Sequence, residues 1–446
     1  MSFRTFSQFG PSLDGPALEF ALLLGLAITL PMFEGVKNIL WGLYAAAWYV
    51  NRLRNGWSWQ ALGGRWDGWD TILALWLAGA VLGAAFAGMH ADEWRGCRDM
   101  FRMTSMLWFI KRSGYGDAQW LSVHVALQAG VAIATIWALA ALAWPHSYEG
   151  IQLNSVGHVN QSVIYIVICF GALLGAMSAY WRTMRSWLRA LSLAEVVILL
   201  GALFAAASRS AAATVVIGAL AFGLLWLRHS PRFFIWVVIV TAAFVTVVAR
   251  FDTDMRRKQE YATASASPLL NERSAIWQQA VIAWRAYPIF GIGGDNYAHL
   301  KAEQIQRWEE ALGENYDPAD FVGTSHAHSL YLNTLAGRGL VGASLLVLLL
   351  VAWATSLLGS LPRARDPPLY WLNWSGAAAA LVASVCIGLF NTTLHDEHGL
   401  LAFMLLGIWL SYRQQRRTQA AALPAERGII ASAAAAHAAA TERPLR

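Results

Sequence analysis

Apolar runs of roughly 20 residues, the length that crosses ~30 Å of hydrocarbon as a helix, recur along most of this chain. They fall near residues 17–33, 36–51, 69–89, 99–110, 119–145, 160–181, 188–207, 210–228, 232–250, 339–361, 369–391 and 398–412. The pattern predicts an all-α polytopic membrane protein with about twelve transmembrane helices. The fourth run begins in the charged stretch Asp92 to Arg102 and also reads as partly interfacial. Met1 to Pro16 has neither a basic start nor a small-residue cleavage site, so the first helix is expected to stay.

Two intervals depart from the apolar pattern. Residues 251–338 are hydrophilic and too long for a mere connection, which predicts one large, mostly helical folded subdomain. The tail after Arg417 is alanine-rich, with the run ASAAAAHAAA, and reads as disordered or as a loosely attached helix. The expected organisation is nine spans over 1–250, the loop subdomain over 251–338, three spans over 339–412, and a cytoplasmic tail over 413–446. No hydropathy repeat marks a transporter built from two related halves.

Composition sharpens this picture. With 57% hydrophobic and 13% charged residues, the chain is far too apolar for a soluble domain, and its 23 tryptophans suit interfacial belts. The net charge of +6 does not indicate nucleic acid, because the basic residues are scattered over alternate short loops. These clusters are Arg52, Arg54 and Arg65; Lys111 and Arg112; Arg182, Arg185 and Arg189; Arg228 and Arg232; Arg363 and Arg365; and Arg413, Arg416 and Arg417. The positive-inside rule puts all of them, and both termini, in the cytoplasm. The same parity puts 251–338 outside, together with the short loops around His146 to Asn160 and Leu394 to Glu397. Chemistry in the large loop would then run where ATP and nucleotide sugars are absent. Cys97, Cys169 and Cys386 are isolated and suggest neither a disulfide framework nor a metal knuckle.

Candidate chemistry gathers in and around the loop. After Pro268, Asn271 can cap a helix with apolar face Ile276, Ala280, Ala283 and Tyr287, ended by Pro288. Arg273 then lies in its first turn, where free N–H groups and a guanidinium together favour a phosphate. Arg209 sits between two spans with almost no loop and should have a partner. His328 stands where the loop runs back into apolar chain, and a neutral imidazole there could take a proton from a hydroxyl near ambient pH. His326 and Tyr331 flank it, though residues two apart on a helix would not share a face. Asp252 and Asp254 form a D-x-D spacing, but Arg256, Arg257 and Lys258 follow at once and argue against a metal. Gly291, Gly293 and Gly294 read as a helix-to-loop turn, since no strand precedes them. His395 and His398 flank Asp396 and Glu397 without a third ligand at zinc spacing. Glu195 and His124, inside spans, read as satisfied by polar neighbours, and so few such groups argue against a proton-coupled transporter.

Taken together, Ser208-Arg209, the segment Arg273 to Trp277 leading through Pro288 to Gly291 and Gly293, and His328-Ser329 followed by Gly339 and Gly342 resemble the O-antigen ligase and polymerase superfamily. The resemblance covers about residues 190–412, and the glycine spacing after His328 is more like the ligase family. It implies a GT-C-like glycosyltransferase architecture in a bacterial inner membrane, with the active site periplasmic. The implied donor is a glycan on undecaprenyl pyrophosphate, and the implied acceptor is lipid A core oligosaccharide. Arg209 and Arg273 would clamp the pyrophosphate and His328 would act as base, with no metal or cofactor and with inversion at the anomeric carbon. Relatives often carry an acidic residue at position 338, where this chain has Arg338, which adds a third cation to the anion site. His326, Tyr331 and Asp396 are possible pocket residues, Asp396 or Glu397 as the partner orienting His328. A polymerase, a protein O-oligosaccharyltransferase and, from another class, a lipid-linked glycan transporter are the alternatives.

Overall fold

In the computed structural model, residues 14–54, 56, 58–142, 150–206, 209–227, 231–251, 271–318 and 321–441 are described. Asp252, Asp254, Arg256, Arg257, Lys258 and Ser208 lie outside them. Fourteen α-helices and no strand occur among the described residues. In chain order they are α1 (Gly15–Thr29), α2 (Glu34–Leu53), α3 (Gly68–Ala85), α4 (Glu93–Lys111), α5 (Asp117–Leu142), α6 (Val159–Tyr180) and α7 (Ser186–Ala205). Then follow α8 (Arg209–Leu227), α9 (Pro231–Phe251), α10 (Asn271–Ala286), α11 (Ala302–Ala311), α12 (Leu330–Leu358), α13 (Pro368–Gly388) and α14 (Asp396–Thr441). The chain is thus the all-helical membrane protein that the apolar runs predict.

Six of these helices, α3, α5, α6, α7, α12 and α13, are long and apolar enough to cross a membrane. Helix α1 and the described parts of α8 and α9 are apolar but shorter. Helices α2 and α4 carry charges within their length, and α14 is apolar only as far as Tyr412. The alanine-rich tail continues α14 as helix to Thr441, as the low entropic cost of ordering alanine favours.

The core explains why α14 is central. Every residue from Glu397 to Tyr412 is buried, because α4 and α13 cover it from two sides and α6 packs behind them. Polar groups close the ends of the bundle. At one end, Asp70 at the start of α3 is fully buried against Lys111 (3.0 Å) and Arg112 (2.7 Å) from the end of α4, while the Trp108 indole donates to it at 3.0 Å. At the other end, Lys37 of α2 is ion-paired with Glu397 and donates to Ser155 Oγ at 2.7 Å. A buried charge is tolerated only when paired and hydrogen-bonded, and removing one partner costs about 3–5 kcal/mol. These clusters therefore hold helix ends in register.

The second end carries the irregular backbone. Helix α12 begins at Leu330, nine residues before the apolar run at 339, because Ser329 caps it, its Oγ accepting from Leu332 N at 3.4 Å. The helix is broken at Gly339 (φ 60°, ψ −160°). That break would orphan the carbonyls of Ala336 and Gly337 and the N–H groups of Leu340 and Val341. The segment after α10 supplies all four partners. Ile292 N donates to Ala336 O (2.9 Å) and Gly293 N to Gly337 O (2.9 Å), while Leu340 N donates to Pro288 O (2.8 Å) and Val341 N to Ile289 O (3.2 Å). The other edge of the segment accepts from Gly88 N (3.0 Å) and Met89 N (3.2 Å) of the α3–α4 loop. Glycine is required at 339 twice over, since a Cβ there would lie 2.3 Å from Ile289 O in a conformation that side chains rarely adopt. Gly339→Ala is expected to destabilise the fold by about 1–3 kcal/mol or more and to lower the melting temperature; an unchanged melt would show that the break tolerates a side chain.

Candidate functional site

His328 is set by its backbone. It has φ 46°, and among the described residues only two other non-glycine positions have positive φ, Leu394 (54°) and Asp396 (44°). His328 and Leu394 lie in the two loops that meet here, 321–329 and 389–395, and Asp396 is the first residue of α14 directly after the second. Such conformations cost on the order of 1–3 kcal/mol each and persist where surrounding structure over-determines them. The determinants are visible. Leu330 N donates to Asn391 O (3.1 Å), Ser329 Oγ donates to Gly388 O (3.4 Å), and Ala327 N donates to Asn333 Oδ1 (3.1 Å).

The ring of His328 shares a hydrogen bond with the side chain of Asn391. Asn391 is itself buried, its Oδ1 accepting from Thr392 N at 3.0 Å. Thr324 Oγ1 stands 3.4 Å from His328 Nε2. The ring of His326 packs edge-on at 4.5 Å, and Ser325 Oγ lies 2.8 Å from its Nδ1. The two histidines sit together because they lie in the loop before α12, where the helical spacing rule that would separate them does not apply.

Electrostatics keep these rings neutral. Burial is the larger cause of the lowered pKa of His328, and the Arg273 guanidinium on the first turn of α10 adds to it, as does His158; the bond with Asn391 opposes them. His326 is pushed down to about 4 by burial, then by His328, His395 and His158. His395 goes the other way. Burial disfavours its charge, but its Nδ1 lies 2.7 Å from Asp396 Oδ2, and that bond with the nearby carboxylates raises its pKa. Its Nε2 is 4.0 Å from Asp295 Oδ1, and Arg95 Nε is 3.7 Å from the same carboxylate.

The structure thus joins His328, His326 and Arg273 and places Asp396 one residue beyond them, through His395. Asp396 does not orient His328: it bonds to His395 and accepts from Gln161 Nε2 (3.2 Å), while Glu397 is taken by Lys37. Asn391 and Thr324 are the side chains that stand against the His328 ring. Tyr331 donates to Val385 O at 3.1 Å and so ties α12 to α13. Arg338 lies with its guanidinium 5.7 Å over the Trp76 ring, its charge felt by Asp295. Arg209 is the first residue of α8, and its side chain is outside the described residues. The expected helix bearing Arg273 is present, with Ile276, Ala280 and Ala283 buried on one face. His124 is met by Asn373 Oδ1 at 2.8 Å, whereas Glu195 Oε1 has no hydrogen-bond partner among the described residues. Sequence reasoning missed Asn391, Thr324 and His158; the polar run Asn391-Thr392-Thr393 directly after an apolar span was the available signal.

Residues 194–347, about a third of the chain, match the family model for O-antigen ligase. This match supports membership of the O-antigen ligase superfamily. No curated protein shows a significant match to the chain. The matched segment runs from α7 into α12 and includes Arg209, Arg273 and His328, while Asn391, His395 and Asp396 lie beyond it. The family points to a glycosyltransferase-like membrane enzyme of glycan assembly.

The arrangement sets a titration order for His328. Because its pKa is depressed, the ring is neutral at pH 7 and takes up its proton only as pH falls below the ordinary 6.5. In Arg273→Gln the midpoint moves up, and in Asn391→Ala it moves further down; histidine NMR titration reads both, and shifts in the opposite directions would refute the assignment.

Proposed function

We propose that the protein transfers a glycan from undecaprenyl pyrophosphate to lipid A core oligosaccharide at the periplasmic face of the bacterial inner membrane. The observation that carries this reading is a neutral imidazole, His328, electrostatically coupled to the arginine of a helix N-terminus. An imidazole that is unprotonated at pH 7 can act as base, and a guanidinium beside it can hold the anionic leaving group of the same displacement.

The acceptor hydroxyl oxygen forms a bond to the anomeric carbon of the donor glycan as its proton passes to His328. The bond from that carbon to the diphosphate oxygen breaks, and the electron pair leaves with the diphosphate. Arg209 and Arg273 neutralise the charge that develops there. Arg338, whose charge acts on Asp295, adds a third cation to this anion site. A single displacement inverts the anomeric carbon. Asn391 holds the ring so that one nitrogen faces the acceptor, as a carboxamide does for imidazole bases elsewhere.

In the proposed topology the chain crosses the membrane about twelve times, with both termini cytoplasmic and the His328 end of the bundle outward. The buried Asp70–Lys111–Arg112 cluster then marks the cytoplasmic end, in keeping with the positive-inside rule.

With purified protein in nanodiscs, His328→Ala is expected to lower glycan transfer about 10²–10⁴-fold while donor binding is kept. Undiminished transfer would sink base catalysis by this residue and favour a transporter. Supplying lipid A core, a second lipid-linked repeat and a serine-bearing pilin-like peptide as rival acceptors for one donor separates ligase, polymerase and protein-glycosylating activities.

A further inference from the structure

The outer half of α4 is out of keeping with a helix that packs in a membrane bundle. The helix exposes Arg95 (62%), Trp94 (56%) and Phe101 (53%), and Arg98 is exposed beside them. Arg102, one further turn along, donates through Nη1 to Asn38 Oδ1 of α2 (2.9 Å), while its Nε is buried with no hydrogen-bond partner among the described residues. Arg95, Arg98 and Arg102 follow each other at spacings of three and four, which puts them on one side of the helix.

Their depth matters. The far end of α4 is pinned, since Lys111 pairs with Asp70 in the first turn of α3. At 1.5 Å per residue, Arg102 is about 14 Å and Arg98 about 20 Å from Lys111 along the axis. Helix α3 beside it is itself a candidate span of 18 residues, about 27 Å long. The arginines therefore stand alongside the second half of a spanning helix. Guanidinium groups at that depth are strongly unfavourable against hydrocarbon and require water, a carboxylate or a phosphate. Of the three, Arg95 faces Asp295 at 3.7 Å and Arg102 is held by Asn38, while Arg98 is exposed.

This surface leads to the base. Asp295 is shared between Arg95 and His395, and His395 acts electrostatically on His326, whose ring packs on His328. The proposed donor cannot be what the surface holds, because its diphosphate is bonded to the reacting sugar and must sit at Arg273. An acceptor glycolipid has the opposite layout: its phosphates are on the lipid anchor, and core sugars separate them from the hydroxyl that reacts. It needs a cationic surface at membrane depth, set apart from the base.

We propose that the Trp94, Arg95, Arg98 and Arg102 face of α4 docks the phosphate-bearing anchor of the acceptor glycolipid. This rests on the reading under Proposed function and assigns the acceptor a site there. Arg95 and Arg98 contact the anchor phosphates, Arg102 adds its charge one turn further along, and the indole of Trp94 lies at the boundary of sugar and acyl chain.

Binding is measured without catalysis, on the full chain in zwitterionic nanodiscs, with fluorescent lipid A core and its dephosphorylated form as probes. Wild type is expected to bind the phosphorylated form about tenfold or more tightly than the dephosphorylated one. The double variant Arg95→Gln, Arg98→Gln should lose that difference, and Arg95→Lys, Arg98→Lys should keep most of it. If the double variant does not melt like wild type, Arg98→Gln alone, at an exposed position, carries the test. Equal binding of both forms by wild type, or an unchanged preference in the variant, would overturn the docking surface while leaving His328 catalysis standing. Displacement of the probe by phosphatidylglycerol at equal concentration would reduce the surface to a general headgroup belt and overturn it as well. If wild type binds neither form, the acceptor named under Proposed function is wrong.

Discussion

A helix that crosses a membrane must satisfy every backbone N–H and C=O internally, and α12 breaks that rule at Gly339. Four backbone groups lose their helical partners, and the segment from Pro288 to Gly293 replaces all of them. This exchange is the constraint on which the site depends. It fastens the end of α10 to the start of α12, and α10 carries Arg273 while the loop before α12 carries His328. The α3–α4 loop closes the other edge of the same segment, so the top of α4 is drawn into the assembly too. Without the break, α12 would run straight through this level, and the chain after α10 would have no backbone to pair with.

The electrostatic pattern is built on that frame. His326 and His328 are held toward the neutral form by burial and by neighbouring positive charge, whereas the pKa of His395, two loops away in the chain, is raised by Asp396 and Asp295 against the effect of burial. Groups of one residue type whose pKa values are pushed in opposite directions lie in one cluster because their environments differ. The strained backbone of His328, Leu394 and Asp396 is the conformational counterpart, confined to the two loops that meet and the first residue of α14. Both features need the Lys37–Glu397 pair and the Asn391–Leu330 bond, which hold the 389–397 loop in place.

Much of the fold was legible in the order of apolar and polar residues. Helix α10, its apolar face and its end before Pro288 follow from local spacing and capping chemistry. Arg273 and His328 were visible because charge or titratable groups beside long apolar runs are few. The limits are equally physical. The start of α12 lay nine residues earlier than the apolar run because a serine cap and a glycine break extend the helix into polar sequence. The rings of His326 and His328 pack together because they are in a loop, which helical periodicity does not describe. Arg338 was expected among the cations, and its contact with the Trp76 ring and its action on Asp295 come from helices that only packing brings together.

The chain by itself determined a helical membrane protein with an arginine at a helix start and an imidazole at a loop's return, since these depend on neighbours a few residues apart. Which group orients His328, and which loops surround it, only the tertiary structure decided. Asn391 and His328 are remote in sequence, and their contact exists because α12 and α13 pack side by side with their loops at one end. Pairing of that kind is set by helix packing, whose order no local pattern of residues encodes.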